Sequence, residues 1–107
     1  MPKEILDQLL VELKSGLTAL YKDTLCGVYL FGSYARGDQD SESDLDILII
    51  LSHYEHYSVE IERTGELISR LSLKYSVSIS RKIITADRWK TVDSALLRNV
   101  RAEAVQA

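Results

Sequence analysis

The sequence predicts a small mixed α/β (α+β) domain, in which a sheet of about three strands is flanked by helices. Long segments carry apolar residues at three- and four-residue spacing, which is typical of amphipathic helices. Three shorter segments show the apolar runs or the alternation typical of strands. The chain has 107 residues, which fits one domain spanning residues 1–107.

The first half of the chain predicts a helix followed by two strands. Apolar residues at helical spacing run through residues 5–20. Gly27 precedes an apolar run over residues 28–31, which stops at Gly32 as a buried strand entering a tight turn does. A second strand is predicted over residues 45–51, and both of its faces become apolar beyond Asp46. This strand should be central, with its carboxylates at one end.

The second half predicts a helix, a strand and a final helix. Residues 52–57 are predicted to be a connection, and residues 61–75 carry the apolar spacing of a second long helix. Alternation over residues 76–83 predicts a third strand with a polar face at its start. Asp93 and Ser94 can cap a last helix. The residues of that helix expected to face inward are Leu96, Leu97, Val100 and Ala104.

Composition and charge argue against several classes of protein. The formal net charge of −3 disfavours nucleic acid as a partner, because nucleic-acid-binding surfaces are usually basic. Neither a signal peptide nor a segment long enough to span a membrane is apparent, so we expect a cytoplasmic protein. Cys26 is the single cysteine, which suits a reducing compartment, and we expect it to be a buried, inert thiol.

The turn at Gly32 and Ser33 is a candidate phosphate site. A chain that leaves a strand and starts a helical turn offers backbone N–H groups and the positive end of a helix dipole. The Ser33 hydroxyl can donate to the same anion. Arg36 follows one turn later and can add a charge-assisted contact. Taken alone, a Gly-Ser pair is usually an ordinary turn.

Asp44 and Asp46 follow this turn after ten residues and form a candidate metal site. Carboxylates two apart on a strand point the same way and lie roughly 6.5 Å apart along it. They can share Mg²⁺ ions, whose octahedra are completed by phosphate oxygens and water. Such a pair can equally be solvated or salt-bridged.

Two other metal sites are disfavoured by the sequence. The acidic run from Asp38 resembles an EF-hand loop, but its sixth and twelfth positions are Ser43 and Ile49 rather than Gly and Glu. His53 and His56 could ligate zinc only with further ligands, and no other His or Cys joins them. We therefore expect an ordinary acidic loop and a solvated histidine loop.

The segments 32–37 and 43–48 together resemble the signature of the nucleotidyltransferase superfamily that includes DNA polymerase β. More narrowly, the short chain resembles the minimal nucleotidyltransferases, single domains encoded beside a helical HEPN partner as toxin–antitoxin pairs. The resemblance covers essentially the whole chain. It implies a polymerase β-like fold for residues 1–107.

The resemblance also implies an activity. In this family ATP is the substrate, and the expected reaction of antitoxin-type members is AMP transfer to a hydroxyl, notably a tyrosine of the HEPN toxin. Gly32, Ser33 and Arg36 would bind the nucleotide, and Asp44 and Asp46 would be catalytic and carry Mg²⁺. A hetero-oligomer with the HEPN protein follows as the expected assembly.

The chain departs from the family pattern on the third predicted strand. Active members usually carry a third carboxylate there, and the matching position in this sequence is Ser78. Serine cannot act as a general base near neutral pH as a carboxylate does. Three hypotheses stay open: a working protein adenylyltransferase, a binding module that neutralises its partner by contact, and a structural subunit with an unused motif.

Aromatic residues offer a possible surface for the partner. Such residues are enriched at protein interfaces. The aromatic residues expected to be exposed, and so able to dock against another chain, are Tyr54, Tyr57, Tyr75 and Trp89. Tyr75 and Trp89 can equally complete the core.

Overall fold

The computed structural model describes residues 1–91 and 94–107, without the side chains of Leu96 and Glu103. The predicted cap at Asp93 and the inward side chain at Leu96 lie outside the described residues. The elements in chain order are α1 (Lys3–Tyr21), β1 (Leu25–Phe31), α2 (Ser33–Arg36), β2 (Leu45–Leu51), α3 (Tyr57–Tyr75), β3 (Ile79–Thr85), α4 (Ala86–Thr91), α5 (Ala95–Glu103) and β4 (Val105–Gln106).

These strands form one mixed sheet in the order β3-β2-β1-β4. β2 pairs parallel with β3 and antiparallel with β1, and β4 pairs antiparallel with β1. The predicted central position of β2 is confirmed, and its bounds agree with the predicted 45–51. The described sheet has four strands rather than about three, because a two-residue C-terminal strand pairs with β1 at Tyr29 and Leu30.

The two faces of the sheet are covered by different helices. One face, here the α1–α3 face, packs the alternate β2 residues from Leu45 to Leu51 against apolar side chains of α1 and α3. The other, the α4–α5 face, packs Phe31, Leu48 and Ile50 against Val100 and the half-buried Trp89. Because both faces are covered, β2 is apolar on both sides beyond its first residues.

Several sequence-based boundaries are corrected. β1 begins at Leu25, so Gly27 lies inside the strand at an irregularity of the β1–β2 register. Cys26 is exposed rather than buried, because pairing with the C-terminal segment reaches only to Val28. α3 begins at Tyr57, within the predicted connection, and β3 begins at Ile79 rather than near residue 76. The last helix is capped by Ser94, whose Oγ accepts from the Leu97 N–H at 3.1 Å.

The aromatic residues divide between core and surface. Tyr75 packs on the core of the α1–α3 face and Trp89 on that of the α4–α5 face, so both complete the core. Tyr57 is 44 % exposed. Within the part of the chain that the structure describes, no helix is long and apolar enough to cross a membrane.

Candidate active site at the start of β2

The turn after β1 depends on a glycine. Gly32 has φ 73° and ψ −154°, a conformation that residues with a Cβ rarely adopt. Its carbonyl oxygen accepts from the N–H groups of Ala35 and Arg36, both at 3.1 Å, which closes the single turn α2. Gly37, at φ 79°, ends this turn. The predicted helical turn at Ser33 is therefore confirmed.

Asp46 lies against this turn. It is the cross-strand partner of Phe31, and a Cβ built on Gly32 would lie 2.3 Å from the Asp46 Oδ2. The missing side chain at position 32 thus leaves the space that this carboxylate occupies. The structure brings the two halves of the motif, which are separated in sequence, into contact.

Asp44 lies just outside the strand. β2 begins at Leu45, so Asp44 is an exposed loop residue while Asp46 is half-buried. The loop before it is organised by Asp40, whose Oδ1 accepts from the Glu42 N–H at 2.8 Å. Asp40 therefore acts as a loop-forming residue, as expected for an ordinary acidic loop.

Arg36, the predicted phosphate contact, lies at the end of α2 and is exposed. Its Nε donates to the Asp38 Oδ2 at 3.1 Å. Both side chains are about half-exposed, so this pair contributes little to stability. A phosphate would have to compete with Asp38 for the guanidinium.

The register of β2 with β3 shows which residues of the third strand lie beside the two carboxylates. Asp46 is paired with Ser80, whereas Ser78 precedes β3 and its carbonyl oxygen accepts from the Leu45 N–H at 2.8 Å. The cross-strand neighbour of Asp46 is therefore Ser80, which the sequence analysis did not single out. Both serines are exposed. No carboxylate occupies either position.

The carboxylates at this site supply part of what a hard divalent cation needs. Mg²⁺ is usually bound through one or two carboxylates together with substrate phosphates and water. Asp44 and Asp46 supply two such carboxylates, and the second is seated against the proposed phosphate turn. Among the residues described, no three His, Cys, Asp or Glu side chains come together as a metal site. The described residues at this site therefore offer two candidate ligands, and the remainder would come from substrate and solvent.

A second polar cluster lies between α1, α3 and β3. This Glu60 cluster comprises Tyr21, Glu60, Arg63, Thr64 and Arg81. The Tyr21 hydroxyl donates to the Glu60 Oε1 at 2.8 Å, and Arg63 lies 3.2 Å from the same oxygen. Burial and the nearby Glu60 carboxylate raise the pKa of Tyr21.

A cleft of about 320 Å³ adjoins this cluster and is lined in part by His53, His56 and Glu60.

Comparison with known proteins identifies the family. A family model described as nucleotidyltransferase domain matches residues 10–99. The presumed protein adenylyltransferase MJ0141 of Methanocaldococcus jannaschii is 36 % identical over 99 residues, which cover 92 % of this chain and 95 % of the relative. A second presumed protein adenylyltransferase of that organism, MJ0604, is 34 % identical over 93 residues, covering 86 % and 87 %.

Solved structures share the fold at lower identity. A toxin–antitoxin structure with AMP-PNP matches with a TM-score of 0.63 and 20 % identity, covering 92 % of this chain and 69 % of that one. A presumed minimal nucleotidyltransferase matches at 0.58 and 23 %, covering 94 % and 93 %. A complex of a tri-AMPylated Shewanella oneidensis HEPN toxin with its MNT antitoxin matches at 0.50 and 17 %, covering 92 % and 70 %.

The range matched by the family model, residues 10–99, includes both halves of the motif and strands β1, β2 and β3. The resemblance inferred from the sequence is thereby confirmed. The chain belongs to the nucleotidyltransferase domain family and has its fold.

Proposed function

We propose that this chain transfers AMP from ATP to a hydroxyl group of a HEPN-domain partner, with Mg²⁺ at Asp44 and Asp46. The observation that carries the proposal is the contact between the Asp46 carboxylate and the Gly32 turn, which unites a phosphate-binding turn with a metal ligand. The names of the curated relatives support adenylyl transfer to protein. We further propose a cytoplasmic hetero-oligomer with the HEPN protein.

Each motif residue has a role in this proposal. The start of α2 and the Ser33 hydroxyl bind the outer phosphates, and Gly32 allows the backbone to approach them closely. Arg36 exchanges Asp38 for a phosphate oxygen. When bound, Mg²⁺ neutralises phosphate charge and aligns the reacting oxygens.

The reaction would form a bond from the acceptor oxygen to the α-phosphorus while the bond to pyrophosphate breaks. The hydroxyl proton must go to solvent or to a base of the partner, because Ser78 and Ser80 cannot accept it near neutral pH. Loss of general-base assistance slows such reactions by about 10²-fold or more. We therefore expect slow transfer.

The same serines favour a second candidate function. A chain with two carboxylates in place of three can retain nucleotide or metal affinity while neutralising the HEPN partner by contact. In that case turnover is negligible, and the partner is inhibited whether or not ATP is present.

Label transfer tests the first proposal. The chain is incubated with its proposed HEPN-domain partner, Mg²⁺ and ATP labelled at the α-phosphate. We expect label on the HEPN protein, and none with Asp46→Asn. Glu42→Gln is the matched control. Glu42 is an exposed acid in the loop before β2, and it has no role in the proposed site.

The remaining outcomes separate the alternatives. An unlabelled partner that becomes labelled with Ser80→Asp or Ser78→Asp would support the contact module. A chain that binds no ATP at millimolar Mg²⁺ would favour the structural subunit with an unused motif.

A further inference from the structure

The two neighbouring cations of β3 have different surroundings. Arg81 points into the α1–α3 side, where its Nε donates to the Thr64 Oγ1 at 2.7 Å and its Nη2 to the Ile61 carbonyl at 2.6 Å. Lys82 is exposed and forms no hydrogen bond or ion pair with any side chain that the structure describes. Of these two cations, Lys82 is the one available to a ligand.

Strand alternation places Lys82 on the same face as the candidate site. Ile83 packs in the core of the α1–α3 face and Ile84 in that of the α4–α5 face. Lys82 therefore shares the α4–α5 face with Ser80, and Asp46 shares it with Leu48. Lys82 and Ser80 are two residues apart, roughly 6.5 Å along the strand, which a four-carbon lysine stem can largely span.

The residue at position 80 decides what Lys82 can bind. A carboxylate there would lie on the same face of the strand and would pair with the ammonium group. Because residue 80 is serine, Lys82 keeps its charge available for an anion from outside the chain. The serine at position 80 thus leaves a cation beside the candidate site.

The order of strands indicates which anion this is. At the level of Asp46 the Gly32 turn lies on the β1 side and Ser80 on the β3 side. If the turn binds the outer phosphates, the α-phosphate end of the nucleotide extends across Asp46 toward β3. We propose that Lys82 binds the α-phosphate of the nucleotide, an inference that rests on the proposed function.

Equilibrium binding of ATP and ADP in Mg²⁺ tests this contact. Lys82→Gln should weaken both nucleotides by the same factor, about tenfold, because both carry the α-phosphate and one charge-assisted hydrogen bond is lost. Lys82→Arg should retain most of the affinity. Ser33→Ala should instead weaken ATP more than ADP, because it acts on the outer phosphates.

Lys22→Gln is the matched control. Lys22 is an exposed cation next to the start of β1, at the other end of the strand from Gly32, and its replacement should leave both affinities unchanged. If the wild type binds ATP and Lys82→Gln leaves that affinity unchanged, the inference is wrong. Lys82 would then serve only to protect β3, an edge strand, from pairing with another chain. A larger loss for ATP than for ADP would overturn the α-phosphate assignment. Failure of the wild type to bind ATP would instead refute the proposed function.

Discussion

The Glu60 cluster and the candidate active site are two groups of polar residues that pack against the same sheet. They differ in whether their polar atoms find hydrogen-bond partners within the chain. Tyr21 and Glu60 are each 6 % exposed and Thr64 is fully buried, and their partners lie within the cluster. At the start of β2, Asp44, Ser80 and other polar side chains open to solvent. Polar atoms that the chain satisfies itself stabilise the fold, whereas those left open are available to a ligand.

The largest expected effect comes from filling the space at position 32 that the Asp46 carboxylate occupies. Gly32→Ala forces a strained φ of 73° and places a Cβ 2.3 Å from the Asp46 Oδ2, so the carboxylate must move. Misplacement on this scale costs about 100-fold in rate. Label transfer and ATP binding measure the loss.

Gly37→Ala provides the control for that substitution. Gly37 has a similar φ of 79° but no atom within 4 Å of an added Cβ, so the variant isolates backbone strain from displacement of Asp46. If both alanine variants lose activity equally, backbone strain alone explains the loss. Displacement of the Asp46 carboxylate would then not be its cause.

The Glu60 cluster should respond in stability rather than in binding. Glu60→Leu leaves the buried Tyr21 hydroxyl without its acceptor, and an unsatisfied buried group of this kind costs about 2 kcal/mol. Denaturant unfolding should show this loss while the Kd for ATP of the folded protein stays unchanged. Glu62→Gln, an exposed change on the same helix, should alter neither quantity. Weaker ATP binding by the Glu60 variant would show that the two regions are coupled.

Placing an acid beside Asp46 tests the candidate active site directly. Ser80→Asp supplies a potential proton acceptor at the cross-strand position of Asp46, and at saturating ATP, where pairing with Lys82 no longer limits binding, we expect transfer to rise about tenfold. Ser78→Asp should give a smaller gain, because residue 78 lies two residues before Ser80 and outside β3. A larger gain at position 78 would contradict the assignment made from the strand register.

The smallest predicted effect is a dependence of stability on alkaline pH. The pKa of Tyr21 is raised in the folded state by burial and by Glu60, while an unfolded tyrosine ionises near pH 10. Above pH 10 the unfolded state therefore binds fewer protons than the folded state, so stability falls as pH rises. From Tyr21 alone we expect a loss of about 1 kcal/mol between pH 9 and pH 10.5.

Tyr21→Phe should flatten this dependence, although it lowers stability near neutral pH. The pKa of Tyr75 is likewise raised, to about 12, by its hydrogen bond to Glu12, so Tyr75→Phe should remove a further part of the slope. Unfolding curves between pH 8 and 11 measure both. If stability still falls with pH in the double variant, groups other than these two tyrosines cause the dependence.

Much of this fold is visible in the sequence because burial is periodic. α1, α3 and β2 carry uninterrupted apolar patterns, and their cores agree with those patterns. α4 was missed because it is six residues long and has no buried residue. β4 was missed because its two exposed residues become a strand only through pairing with β1, a contact distant in sequence.

The site divides in the same way. Gly32, Ser33, Asp44 and Asp46 could be singled out as candidates by residue type and spacing, because a phosphate turn and a carboxylate pair have local signatures. Ser80 and Lys82 could not, since their relation to Asp46 depends on the register between two parallel strands. Only the assembled sheet shows which residue of β3 lies beside a given residue of β2.

The contact between Gly32 and Asp46 has a consequence for folding fidelity. If β1 and β2 paired one residue out of register, Asp46 would turn toward the leucines of α1, and its neighbours Leu45 and Ile47 would turn to the α4–α5 face. Burial of that carboxylate would penalise the slipped hairpin, and the turn at Gly32 would lose its neighbour. The residues proposed to bind substrate therefore also mark the correct pairing, so catalytic competence reports whether this hairpin has folded in register.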